Sequence, residues 1–540
     1  MARRVDHDRA ALNRPPRWFI AVVAAAPLLF ITTFYAWPVA TLLWTTLRHT
    51  TNGRSPFGDI GGIIWFTVWQ AFASTVLTLV VGLLPAYVLA RYSFRGRRLM
   101  MAATTVPFVL PTVVVGAAFL ALLPNSWHGT AQAMIVAHVF FNIAVVVRLV
   151  GSMIAVIPHD LVGAARTLGA SPARAARLIM MPLLRPALWS AAAVIFLFSF
   201  TSFGVAKVLG GPTNPTLEVE IARRATQLGD VSGAAALSAV QLGLLAVVIV
   251  WTSRRQRRAA IELNSATSPV RPHGRGQRVL VGSVGAAVTV AVGAPLIALV
   301  SRSFKNGNRW SVSAWSKLGQ AETRPGAGLG VDPLAAIGAS LRFAVVAALI
   351  ATTIGFLAAT AINGSPRLGK LLDAGLMLPL GTSAVTIGLG MLITFDTAPV
   401  DWRARWWLVP LGHALVAVPF VVRAMLAVLR TIPADLRAAA STLGATPIQA
   451  WWQVDARALR RPLLAGAGFS AAISLGEFGA TTILSRSGNE TLPIAIGRLL
   501  GRAGALPRAQ AFAMATILLV LTTVIVMASG SHERLGSDDA

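Results

Sequence analysis

The chain contains no cysteine in 540 residues. Disulfides, thiolate metal sites and cysteine nucleophiles are therefore excluded. Acidic residues are also scarce, 20 against 47 lysines and arginines, and charged residues of both signs make up only 12%. A soluble protein of this length could not cover its surface with so little charge. The eight histidines show no HExxH or similar ligand spacing. No paired carboxylates and no Ser/His/Asp set mark a catalytic centre, so neither catalytic residues nor a metal site is expected. The formal charge of +27 first invites a nucleic-acid reading. Yet the arginines lie between apolar runs and not on one soluble basic domain, which is the positive-inside pattern of membrane proteins. Nucleic acid is set aside as a partner.

What the sequence holds in quantity is apolar runs. Hydrophobic residues make up 55% and the mean hydropathy is +0.68. Many runs reach the ~20 residues a helix needs to cross hydrocarbon. They fall near 18–43, 66–90, 99–123, 131–157, 187–209 and 233–252, and again near 279–300, 335–361, 372–395, 406–429, 463–484 and 509–528. This pattern predicts an all-α polytopic membrane protein with twelve transmembrane helices in two sets of six. The expected division is a first half over 1–252, a cytoplasmic linker over 253–278 and a second half over 279–540. The first run is too long for a signal-peptide core and reads as a retained span. With both ends inside, 30 of the 47 lysines and arginines fall on inner segments and 16 on outer ones, Arg342 lying within a span. The segment 301–332, rich in Gly and Pro, reads as a small external excursion.

The halves are parallel repeats. An ungapped offset of 275 aligns 137–172 with 412–447 and gives 15 identities, among them His138/His413, Arg148/Arg423 and Pro158/Pro433. It also matches Phe203-Gly204 with Phe478-Gly479. Six spans per half keep the orientation, so a pseudo-two-fold axis along the membrane normal is expected, with the pathway between the halves. The most polar part of the repeat is the inner loop, IPHDLVGAARTLGASP at 157–172 and IPADLRAAASTLGATP at 432–447. Pro158 and Pro433 end the preceding span. Asp160 and Asp435 supply an acidic cap or first-turn charge for a short helix. Gly163-Ala164-Ala165 and Ala438-Ala439-Ala440 are small, and Gly169 and Gly444 can stop that helix as left-handed residues. Ala170 and Ala445 lead to Ser171-Pro172 and Thr446-Pro447, an Ncap followed by proline at the first helical position. The loop thus reads as a helix, a glycine turn and a second helix. One copy alone could be an interfacial helix; two matched copies favour a docking surface for a symmetric cytoplasmic pair.

This loop resembles the EAA signature of binding-protein-dependent ABC importer permeases: EAA, three residues, Gly, nine residues, then I-x-L-P. Gly163-Ala164-Ala165, Gly169, Ile179 and Met181-Pro182 fit the frame, with Gly163 in place of the glutamate. In the second copy Ala438 replaces the glutamate, Val454 the isoleucine and Ala456-Arg457 the final Leu-Pro, so the weaker ATPase contact is expected there. AHVFFN (137–142), FTSFG (200–204), LGGPTNPTLEVEI (209–221), SLGEFGA (474–480) and ETLPIAI (490–496) extend the likeness to fused two-half permeases for thiamine or ferric iron. The resemblance implies the ABC importer permease fold in a prokaryotic inner membrane, two copies of a cytoplasmic ABC ATPase docked on the loops, and an external substrate-binding protein. It also implies that ATP and Mg²⁺ belong to that ATPase, with no cofactor in this chain. Sulfate, molybdate, phosphonate and polyamine permeases share the loop. Gly364–Leu371, GSPRLGKL, fits GxxxxGK but lacks the Ser or Thr that binds Mg²⁺ in a P-loop.

For the pathway, Glu477 stands out as an ionisable residue inside an apolar run. It is either a counter-charge for a cationic substrate or a structural hydrogen-bond partner. Its repeat position holds Ser202. Phe203, Gly204, Phe478 and Gly479 are candidate gate residues or simple packing contacts. Asn142 is a candidate for hydrogen bonding between helices. The rivals to an importer are an ion-coupled secondary transporter and a membrane scaffold without transport activity.

Overall fold

The computed structural model describes residues 16–50, 60–257, 268–320, 332–396, 401–402, 405–486 and 488–534. The arginines before residue 16, part of the linker and 321–331 of the expected external excursion lie outside the described residues. The described chain is helical apart from one short hairpin, Lys305–Asn306 paired with Arg309–Trp310, which forms part of that excursion.

Among the described residues, nine helices are long and apolar enough to cross a bilayer, and two bent pairs bring the number to eleven. Four of the twelve expected spans are broken. Arg97–Val109 and Thr112–Leu122 meet at 104°, and so do Pro366–Gly381 and Ala384–Phe395. At the first break Pro111 forces Leu110 into extended backbone. At the second, Thr382 is extended and the Ser383 hydroxyl accepts the amides of Val385 and Thr386, which restarts the helix. The other two interrupt the runs predicted at 187–209 and 463–484. Ala173–Phe200 gives way to Phe203–Leu209, and Arg460–Gly476, only 17 residues long, gives way to Gly479–Leu484.

Each half is built on three interlocked helices. Gly61–Arg91 packs on Ala131–Val156 and Ala173–Phe200, and Pro333–Gly364 packs in the same way on Leu408–Leu429 and Arg460–Gly476. The leading helix of each half lies against the other half. Ile20 and Ala24 pack on Ala361 and Leu372. Val281, Val284 and Val288 pack on Val88, Leu89, Tyr92 and Met100. The fused chain is therefore crossed over, which binds the halves together more firmly than the linker alone could. Within the linker, Val270 pairs with the turn after Gly61–Arg91 through Ser93 N–H to Val270 O at 2.8 Å. Apolar side chains such as Trp18, Phe72, Val247, Ile297 and Met527 stay exposed along the outer faces, far more than water tolerates and as a lipid boundary requires.

Candidate coupling elbows and transport cavity

Both repeated loops fold as helix, turn and helix. His159–Thr167 and Ala434–Thr442 are the leading helices, and Pro172–Ala175 and Pro447–Ala450 the following ones. Gly169 and Gly444 between them adopt φ of 84° and 86°, a left-handed conformation that a Cβ would strain. Asp435 does not cap its helix. The residue before the second leading helix is Pro433, and Asp435 lies in its first turn, where it acts through the helix dipole alone. Asp160 occupies the matching backbone position in the first elbow. Thr446 forms a full capping box with Gln449, and Ser171 Oγ accepts the Arg174 amide at 3.3 Å. The alanines at 164–165 and 438–440, with Gly163, Ala170 and Ala445, hold the elbows narrow.

The elbows share one side of the molecule. Phe19, at the start of the first span, meets Trp451 behind the second elbow at 5.4 Å. Arg91, at the end of the second span, donates from Nη1 to the Ile157 carbonyl at the root of the first elbow, at 2.9 Å. A chain that crosses twice between residues 19 and 91 returns to the side it left. Each elbow also exposes the same two leucines, which sequence reading overlooked. Leu168 and Leu443, just before the glycines, are 89% and 88% exposed, and Leu161 and Leu436 stand beside them. Apolar knobs held out at repeat-matched positions are what a docking surface offers. The two elbows differ in bracing. Arg437 forms a bidentate ion pair with buried Asp455, where the repeat has Val162 and Met180.

The four helix breaks converge on a cavity of about 240 Å³. Phe203 and its repeat partner Phe478 touch there, ring centroids 4.9 Å apart. A residue can meet its own repeat equivalent only on the axis that relates the halves, so the cavity sits on the pseudo-two-fold. Ser202, Phe203, Glu477, Phe478 and Gly479 all line it. Gly204 does not; it sits against the first bent pair, where an added Cβ would lie 2.3 Å from Thr112 Oγ1. Asn142 is also off the cavity, fully buried, donating to the His138 carbonyl at 3.0 Å and to Ser199 Oγ at 3.3 Å, so it ties neighbouring helices together. The walls are aromatic: Phe108, Phe141 and Phe198 pack on one another, and Phe420 on Phe469. Glu477 faces the space partly exposed, one oxygen accepting the Ala480 amide at 2.8 Å. It is thus a hydrogen-bond acceptor at the start of Gly479–Leu484 and a carboxylate lining the cavity.

A second carboxylate was not anticipated. Glu218 lines the same cavity, fully buried, and joins the halves. Gln241 Nε2 donates to its Oε1 at 2.5 Å and Ser383 Oγ to its Oε2 at 2.6 Å, while Thr386 Oγ1 donates to Gln241 Oε1 at 3.2 Å. Its signal was masked, because TLEVEIARR reads as a polar loop. The GxxxxGK near-match is the end of Pro333–Gly364 and the start of Pro366–Met377. Its backbone serves those helices, and Gly364 leaves room for Ile20.

Two segments, 78–259 and 351–533, each match the family described as binding-protein-dependent transport system inner membrane component. Among curated proteins, the chain is 24% identical to the thiamine transport system permease protein ThiP of Salmonella typhimurium, over 96% of this chain and 98% of that one. It is 23% identical to the Escherichia coli protein of the same name, over 94% and 95%. The Brucella abortus counterpart is 26% identical over 90% and 91%. With one match in each half, together spanning more than half of its length, the chain belongs to the binding-protein-dependent transport system inner membrane components, as a fused two-domain permease.

Proposed function

We propose that the protein is the membrane subunit of an ATP-driven importer and that its cargo is thiamine. The observation that carries the transport reading is the pair of elbows on one side, each presenting the same leucines at repeat-matched positions. Each elbow docks one copy of a cytoplasmic ABC ATPase, which holds the ATP and Mg²⁺; the chain itself binds no cofactor and catalyses no reaction. An external binding protein delivers cargo on the opposite side. The halves 1–252 and 279–540, joined by 253–278, together cross the membrane twelve times, with Arg460–Leu484 as a broken span and both termini inside. ATPase closure draws the elbows together and rocks the halves about the axis where Phe203 meets Phe478. ATP and the loaded binding protein can shift that equilibrium only by preferring the outward form.

Thiamine ranks ahead of ferric iron because the full-length relatives carry that name and because the cavity is aromatic, with a carboxylate facing it. The test is uptake in cells that lack their own thiamine importer and express this permease with the ATPase and binding protein encoded beside it. Labelled thiamine should accumulate and labelled ferric iron should not. Accumulation of iron alone would overturn the cargo assignment.

A further inference from the structure

The two halves treat one buried histidine differently. In the second half, the His413 ring is held at both nitrogens, with Ser474 Oγ 2.7 Å from Nδ1 and Thr481 Oγ1 2.8 Å from Nε2. Its repeat partner His138 has Ser74 Oγ 3.3 Å from Nδ1, but its buried Nε2 has no hydrogen-bond partner among the described residues. The repeat explains why. The offset of 275 that pairs His138 with His413 places Ala206 where the second half has Thr481, so the hydroxyl that would satisfy Nε2 is missing. A bare polar atom in an apolar interior is costly, and membrane interiors keep such groups chiefly where they serve a pathway. His138 lines the central cavity, and His413 does not.

Three further features of the cavity bear on what would fill it. Glu477 brings a partly exposed carboxylate to the same space, whereas Glu218 is already tied to Gln241 and Ser383. The walls are phenylalanine faces, which attract flat rings and cations alike. The volume, about 240 Å³, lies below the roughly 300–1,000 Å³ of pockets for drug-sized ligands, so one or two rings fill it. We infer that the cavity is a transit binding site for a flat, positively charged heteroaromatic, with Glu477 as its counter-charge and His138 Nε2 as its directional hydrogen-bond partner. The histidine of this site comes from the first half only, because Ala206 leaves the buried His138 Nε2 without a partner. The inference rests on the thiamine reading for its choice of probe, thiamine being a thiazolium cation with an aminopyrimidine ring.

The test uses the complete importer in vesicles, with labelled thiamine loaded on the binding protein at a limiting concentration. Ala206→Thr restores the hydroxyl found in the second half and so competes for His138 Nε2; Ala206→Val adds the same bulk without it. Ala206→Thr should slow uptake about fivefold and Glu477→Gln about tenfold, with Ala206→Val within about twofold of the parent, as expected for a lost hydrogen bond or ionic contact. Equal slowing by Thr and Val would overturn the role of His138. Parent-like uptake by both Glu477→Gln and Ala206→Thr would overturn the site while leaving thiamine as cargo. A parent importer that moves no thiamine would overturn the cargo reading and this ligand with it.

Discussion

Replacing Leu168 and Leu443 together by aspartate should strip the ATPase from the permease while leaving the membrane domain folded. Both side chains are almost wholly exposed at the tips of their elbows, so the free permease loses no packing when they change. On the proposed docking each leucine becomes buried against the partner, worth about 1.5 kcal/mol or more. Each loss weakens the docking of one ATPase copy by about tenfold, and an unpaired aspartate carried into that interface adds a desolvation cost. The measurement is the amount of ATPase that co-purifies with tagged permease, compared with a Leu168→Met, Leu443→Met control. An undiminished yield from the aspartate variant would remove the elbows from the interface.

The second large effect should come from Arg437→Ala. That change leaves the Asp455 carboxylate, 2% exposed, without its counter-charge behind the second elbow. Breaking a buried pair on one side costs on the order of 3–5 kcal/mol, whereas replacing both partners by apolar residues is often close to neutral. Arg437 is itself partly exposed, which places the cost near 3 kcal/mol. The variant should therefore lose hydrogen-exchange protection over 434–456 and carry less ATPase. Changing both residues to their first-half counterparts, Arg437→Val with Asp455→Met, should restore protection. A single variant as protected as the parent, or a double variant no better than the single, would contradict the bracing role. The second elbow has drifted furthest from the family signature, yet it carries the ion pair and the full capping box. Its lost motif residues and its internal bracing act on different quantities, partner contact in one case and elbow rigidity in the other.

Much of this was legible in the sequence because the chain states its architecture twice. The offset of 275 located the elbows, and Gly169 and Gly444 took the left-handed turn that their place before Ala-Ser-Pro and Ala-Thr-Pro requires. The helix breaks were not legible. A hydropathy window averages across Leu110-Pro111 or Thr382-Ser383, where two residues of extended backbone turn the chain through 104°. Glu218 was missed for a related reason. It lies in a polar stretch with Glu220, Arg223 and Arg224, and only the fold brings it to Ser383, 165 residues away. The open nitrogen of His138 needed both kinds of information. The repeat names Ala206 as the odd residue, and the structure shows which atom it leaves bare. The crossing of each leading helix onto the opposite half has no sequence signal at all, since apolar helices look alike whichever neighbour they meet.

On the proposed reading ATP drives import through the elbows, and the decisive measurement is labelled thiamine uptake into vesicles holding the purified permease, its ATPase and its binding protein. Uptake should require ATP and the binding protein and should persist when proton and sodium gradients are collapsed. Uptake that continues without ATP and stops when the gradients collapse would contradict the account and identify an ion-coupled transporter.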